Sequence, residues 1–157
     1  MSTPYSLDVH IKIASIDDLN VLANMFDAYR QFYEQAPDLA AAALFIGDRI
    51  KNSESTIFLA QDTSGRSIGF CQLYPSFCSL EAKPIYTLYD LFVDPQFRRS
   101  GAARALLLAA VEHAKSKGYA RLDLTTARSN LAAQALYEKL GWIRDHVFYA
   151  YSFKTGA

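Results

Sequence analysis

Between Ile85 and Thr126 the chain reads as strand, helix, strand, and that order limits the fold more than any other feature. IYTLYDLFV, from Ile85 to Val93, is a β-rich apolar run. A long amphipathic pattern then spans Gly101 to Lys117 and points Ala103, Leu106, Leu107, Ala110, Val111 and Ala114 to one side. It closes on lysines and Gly118, the residue types that favour a helix C-terminus. ARLDLTT, from Ala120 to Thr126, is the next strand. Two strands joined by one helix of this length imply a right-handed parallel crossover.

The rest of the chain attaches to that unit. VHIKI (Val9 to Ile13) alternates as a half-buried strand does, and Ser15 with Asp17 and Asp18 offers a cap and an acidic first turn. Leu19, Leu22, Ala23, Phe26, Tyr29 and Tyr33 give the following helix an apolar face until Pro37 interrupts it. Asp38 can cap a second helix that turns Leu39, Ala42, Ala43, Ile46 and Ile50 inward. TIFLAQD and SIGFCQLY, split by Thr63-Ser64-Gly65-Arg66, read as two strands of a hairpin, and with Ile85–Val93 they form an antiparallel meander. After Thr126, Ser129-Asn130 caps a short helix through Leu140, closed by Gly141, and WIRDHVFYAYSF (Trp142 to Phe153) reads as a last strand. The expected order is β-α-α-β-β-β-α-β-α-β, a single mixed α/β sheet, mostly antiparallel, in one domain over residues 1–157.

Charge excludes some functions. The 16 basic and 16 acidic side chains cancel, so no nucleic-acid footprint is expected. No apolar run reaches the roughly 18 residues of a membrane span, and MSTPYSLDVH lacks a basic-then-apolar leader pattern. Cys71 and Cys78 lie too close together to staple distant segments and lack ligand spacing, which points to reduced thiols and a cytoplasmic location. His10, His113 and His146 are scattered, read as surface or packing residues, and no metal is expected.

The turn before the long helix carries the chemistry. FVDPQFRRSGAARALL places Arg98 and Arg99 ahead of Ser100, Gly101, Ala102 and Ala103. The first amides of a helix have no intrahelical partner and sit at its positive end, so an anion can satisfy them. Small residues would let a diphosphate reach the main chain. Turn geometry and solubility would select the same residue types. Neither a P-loop nor a G-x-G-x-x-G fingerprint occurs here, which disfavours a nucleoside triphosphatase or a dehydrogenase.

LYDLFVDPQFRRSGAARALL, followed by SNLAAQALYEKLGW, resembles the GNAT superfamily of acyl-CoA-dependent N-acyltransferases. The Arg/Gln-x-x-Gly-x-Gly/Ala pattern is met by Arg98 through Ala103, and a second signature is met by Asn130, Ala133, Leu136, Tyr137, Gly141 and Trp142. The resemblance implies acetyl transfer from acetyl-CoA to a primary amine, either a small molecule or a lysine side chain. It implies that the main chain of Leu91, Phe92 and Val93 pairs with the pantetheine arm. Amides from Arg99 to Arg104 would hold the pyrophosphate, Asn130, Ala133 and Lys139 would flank the cofactor, and Tyr137 would reach the thioester sulfur.

An amine must lose its proton before it attacks, and a free alkyl amine titrates near ~10. Asp90 and Glu34 are the candidate bases. The alternative for Asp90 is a carboxylate that orders a loop or pairs with an arginine. Tyr89 stands where relatives often carry an acidic residue, which favours a second reading: a sensor that binds acyl-CoA without turning it over. Tyr29, Phe32, Tyr33 and Tyr89 would line the acceptor pocket, since aromatic faces and carboxylates suit a cation. Tyr29 and Tyr33 could equally be core residues. VFYAYSF would be a covered strand or, if exposed, a strip that invites a second copy and a homodimer.

Overall fold

The computed structural model describes residues 8–157, so the opening MSTPYSL, expected to carry no leader, lies outside the described residues. Two compact units divide the chain, the first ending at Thr125 and the second being Thr126–Ala157.

In the first unit the elements run β1 (His10–Ile13), α1 (Leu19–Phe32), α2 (Leu39–Lys51), β2 (Thr56–Gln61), β3 (Ser67–Cys78), β4 (Lys83–Val93), α3 (Ala102–Ser116) and β5 (Leu122–Asp123). Five strands form one sheet in sequence order. Every pairing is antiparallel except that of β4 with β5, which is the expected parallel crossover. The mixed α/β class and the meander are as the sequence indicates.

Local signals set the helix ends. Ser15 and Asp18 form a reciprocal capping box before α1, and the Asp38 carboxylate accepts the Ala41 amide at 2.9 Å to start α2. Alternation along the strands feeds both faces of the sheet. Ile57 and Leu59 join Leu22, Met25, Phe26, Ala42, Ile46, Phe70 and Phe92 in a core beneath α1 and α2. Phe58, one residue out of phase, meets His113 of α3 with ring centroids 5.4 Å apart. The sheet is therefore covered by the α1–α2 hairpin on one side and by α3 on the other.

The second unit contains α4 (Leu131–Lys139), whose first turn is capped by the Asn130 side chain accepting the Ala133 amide at 3.3 Å. Gly141 adopts φ 90°, a left-handed value that suits glycine, and the Trp142 amide reaches back to the Tyr137 carbonyl at 3.0 Å.

Two strand expectations are corrected. The run Trp142 to Phe153 is not a strand. Its alternation is present, but the Asp145 carboxylate takes the amides of Val147 and Phe148 at 2.7 and 3.1 Å, a local turn that competes with a ladder. β5 is also shorter than Ala120 to Thr126, since only Tyr86↔Leu122 and Thr87↔Asp123 pair. Parallel pairing stops where β5 leaves β4.

Candidate active site

That early stop matters for β4. Among the described residues its ladder to β5 ends at Thr87, while its ladder to β3 continues to Val93. From Leu88 to Val93 one edge of the strand therefore has no strand beside it, and its amides and carbonyls are available to an extended ligand. Leu91, Phe92 and Val93 lie on this stretch.

A β-bulge interrupts the same strand. Leu73 faces Leu88 while Gln72 faces Asp90, so Tyr89 is an extra residue with no partner on β3. One inserted residue reverses the phase of everything after it. Before the bulge, Tyr86 points to α3, where its ring lies tilted against His113 and stacks on Tyr119, at centroid distances of 5.7 and 4.2 Å. After it, Phe92 packs 6.1 Å from Phe70 in the core beneath α1 and α2. Asp90, in phase with Phe92, turns toward the helical hairpin.

Asp90 is 3% exposed and accepts a hydrogen bond from the Gln72 side-chain amide at 2.5 Å. The Tyr29 hydroxyl lies against the same carboxylate and also donates to the Tyr89 carbonyl at 3.4 Å. Burial raises the Asp90 carboxyl above its ordinary range, while Gln72 and Tyr29 pull it partly back. Burial and the Asp90 charge in turn push the Tyr29 and Tyr74 hydroxyls upward. No arginine or lysine pairs with Asp90 among the described residues, so the ion-pair alternative does not hold.

The turn before α3 is built from backbone. Arg99 and Gly101 both take left-handed φ values, 64° and 88°. Such a conformation costs an arginine about 1–2 kcal/mol, strain that clusters at functional loops. Ser100 is buried and its hydroxyl accepts the Ala102 amide at 3.3 Å, which holds the turn closed from beneath. Ala103 and Arg104 follow in the first turn, where helical geometry leaves amides without carbonyl partners. Arg98 sits 5.7 Å above the Phe32 ring and ties this turn to the end of α1. Small side chains, two left-handed residues and a helix start fit a diphosphate.

The aromatic cluster is divided in role. Tyr29 packs its ring on Phe26 and Phe70, so it belongs to the core and only its hydroxyl reaches the site. Phe32, Tyr33 and Tyr89 are 55, 48 and 67% exposed and remain accessible to a ligand. Glu34 is exposed at the left-handed close of α1, with φ 62°, and nothing among the described residues joins it to Asp90. In the second unit, Asn130 and Ala133 form the α4 cap described above, Lys139 is exposed at its end, and Tyr137 is partly buried with its ring 6.1 Å from Trp142.

Sequence reasoning missed Gln72, Ser55 and Tyr74. A glutamine inside the apolar run SIGFCQLY was a usable signal, because a polar side chain in a buried strand needs a partner. Nothing in the sequence marked the bulge. Cys71 and Cys78 are free thiols, and burial pushes the Cys71 thiol up to about 12, so it is inert.

The strand edge left open beyond Thr87, the backbone turn before α3 and the buried carboxylate on the same strand are the features that set this fold apart. The Acetyltransferase (GNAT) family model matches residues 22–142, and the chain belongs to this family. It is 42% identical to an uncharacterized N-acetyltransferase, YhfO, of Bacillus subtilis over 149 residues, covering 95% of this chain and 99% of that protein. The crystal structure of a probable acetyltransferase superposes with a TM-score of 0.89 at 34% identity, covering 94% of this chain and 99% of the other. A 56-residue stretch, 36% of this chain and 38% of the relative, is 45% identical to the ribosomal protein bS18-alanine N-acetyltransferase of Escherichia coli. The protein is an acetyltransferase of the GNAT type. No helix among the described residues is long and apolar enough to cross a membrane, and no group of potential metal ligands occurs among them.

Proposed function

We propose that this acetyltransferase moves an acetyl group from acetyl-CoA to a primary amine by direct attack, with Asp90 as general base. The observation that carries this reading is the position of Asp90: buried, unpaired with any cation among the described residues, and turned by the Tyr89 bulge off the open edge of β4. When bound, acetyl-CoA supplies the thioester carbonyl that the amine attacks.

The chain's own groups divide the remaining work. Main-chain atoms of Leu91, Phe92 and Val93 hold the pantetheine arm as an added strand. The amides from Arg99 to Arg104 bind the pyrophosphate, with Arg98 charged at the rim. Asn130, Ala133 and Lys139 flank the cofactor as the family signature implies. A carboxyl raised by burial is a better match to proton removal near neutral pH than an exposed one, because a base works best when its titration lies near the working pH. The proton leaves the amine for Asp90, directly or through water and the Tyr29 hydroxyl. Glu34 is the second candidate base, acting from the surface.

Tyr137 is assigned the hydrogen bond to the departing sulfur. A phenol near ~10 and a thiol near ~8.5 differ by about 1.5 units, so full proton transfer would run uphill by roughly 2 kcal/mol in water. Hydrogen bonding without transfer is enough. Phe32, Tyr33 and Tyr89 offer ring faces to a cationic acceptor, either a small-molecule amine or an amine on a protein. The bS18-alanine N-acetyltransferase similarity supports a protein amine as one such acceptor.

Release of free CoA with a panel of amines tests the reading. The expected result is amine-dependent release that falls by about 10²-fold or more in Asp90→Asn. Saturable acetyl-CoA binding with no amine-dependent release would instead identify a sensor.

A further inference from the structure

Behind Asp90 lies a second polar layer that the acyl-transfer reading does not use. Gln72 is fully buried on β3 and spans two partners. Its side-chain amide donates to the Asp90 carboxylate at 2.5 Å, and its carbonyl oxygen accepts from the Ser55 hydroxyl at 2.7 Å. Ser55 stands just before β2, so three consecutive partners of the sheet supply one chain of hydrogen bonds.

The chain has a direction. While Ser55 donates to the Gln72 carbonyl oxygen, the Gln72 NH2 group must face Asp90, and that arrangement satisfies an ionised carboxylate. Reversing the amide would set its oxygen against a carboxylate oxygen, which is tolerable only if Asp90 carries a proton. We propose that Ser55 and Gln72 are positioning residues that fix Asp90 in its ionised, proton-accepting form. This rests on the reading of Asp90 as the base.

The other groups facing Asp90 do not replace them. Tyr29 from α1 and Tyr74 from β3 lie near enough to feel the Asp90 charge, Tyr89 packs on Tyr74, the Cys71 thiol turns to the Leu106 carbonyl on the α3 side of the sheet, and none is cationic. Arg49 and Glu54 act on Tyr74 and pair with one another at 2.6 Å. The glutamine amide is therefore the main compensation for burying this charge.

Carbon-13 carboxyl resonances of the full protein, with the Asp90 signal identified by its loss in Asp90→Asn, give a readout independent of turnover. Gln72→Met, similar in shape but without a donor, should move the Asp90 titration to higher pH. Ser55→Ala should move it less in the same direction, and Ser55→Thr should restore it. The acid limb of kcat/KM should move with the resonance, so that Gln72→Met loses about three- to tenfold on that limb and little on the plateau above it. A wild-type titration in folded Gln72→Met and Ser55→Ala would overturn the proposal. If Gln72→Met does not fold, the Ser55→Ala and Ser55→Thr pair decides alone. A moved resonance with an unmoved acid limb would uphold the hydrogen-bond chain and overturn Asp90 as the base.

Discussion

The two halves of β4 share one strand and do different work. From Lys83 to Leu88 it is laddered to β3, reaches β5 at Tyr86 and Thr87, and turns Tyr86 toward α3. Beyond Tyr89 it keeps only the β3 ladder, and Phe92 and Asp90 face the α1–α2 hairpin instead. The first half is scaffold. The second has an open backbone edge and a buried charge, each costly to keep unless a ligand or reaction uses it. A single inserted residue separates the two.

Removing that residue is the strongest way to break the comparison. Deletion of Tyr89 should restore plain alternation, send Asp90 and Phe92 toward α3, and destabilise the protein by about 3–5 kcal/mol, as loss of a core phenylalanine does. Urea titration would report the stability and CoA release the activity. Unchanged values would mean that the bulge has no organising role.

Asp90→Asn sharpens the contrast between function and stability. A carboxyl raised on folding contributes stability below the unfolded carboxylate range, and loses it as pH rises through the folded value. The variant should therefore gain thermal stability relative to wild type as pH rises above the unfolded carboxylate range, while turnover falls by about 10²-fold. A relative gain at low pH instead would contradict the sign. Tyr137→Phe should lower kcat about tenfold with CoA affinity nearly unchanged, as expected of a hydrogen bond made mainly to the departing sulfur. Arg98→Ala should have the smallest effect, about threefold weaker CoA binding at low salt that fades at high salt, because the guanidinium acts from an exposed rim.

What was legible in the sequence follows the same division. Helix caps at Ser15, Asp38 and Asn130 and the glycine before α3 are local devices, written in residue type at fixed offsets. The meander and the crossover follow from period and connection length. The surroundings of Asp90 come from three strands or their flanks and one helix, and depend on a bulge that period-2 reasoning assumes away. Alternation alone would place Asp90 on the Tyr86 face. The expected final strand failed for a related reason, since alternation from Trp142 to Phe153 describes a face but supplies no neighbour to pair with.

Calorimetric titration of CoA into wild type, Asp90→Asn and Gly101→Val compares the binding and chemical parts of the site directly. Gly101 sits at φ 88°, where a β-branched residue would distort the turn that presents the helix amides. Wild type and Asp90→Asn should bind alike, and Gly101→Val should bind at least about tenfold more weakly. Equal affinity in Gly101→Val, or no binding heat in the wild type, would contradict a cofactor held by the backbone before α3.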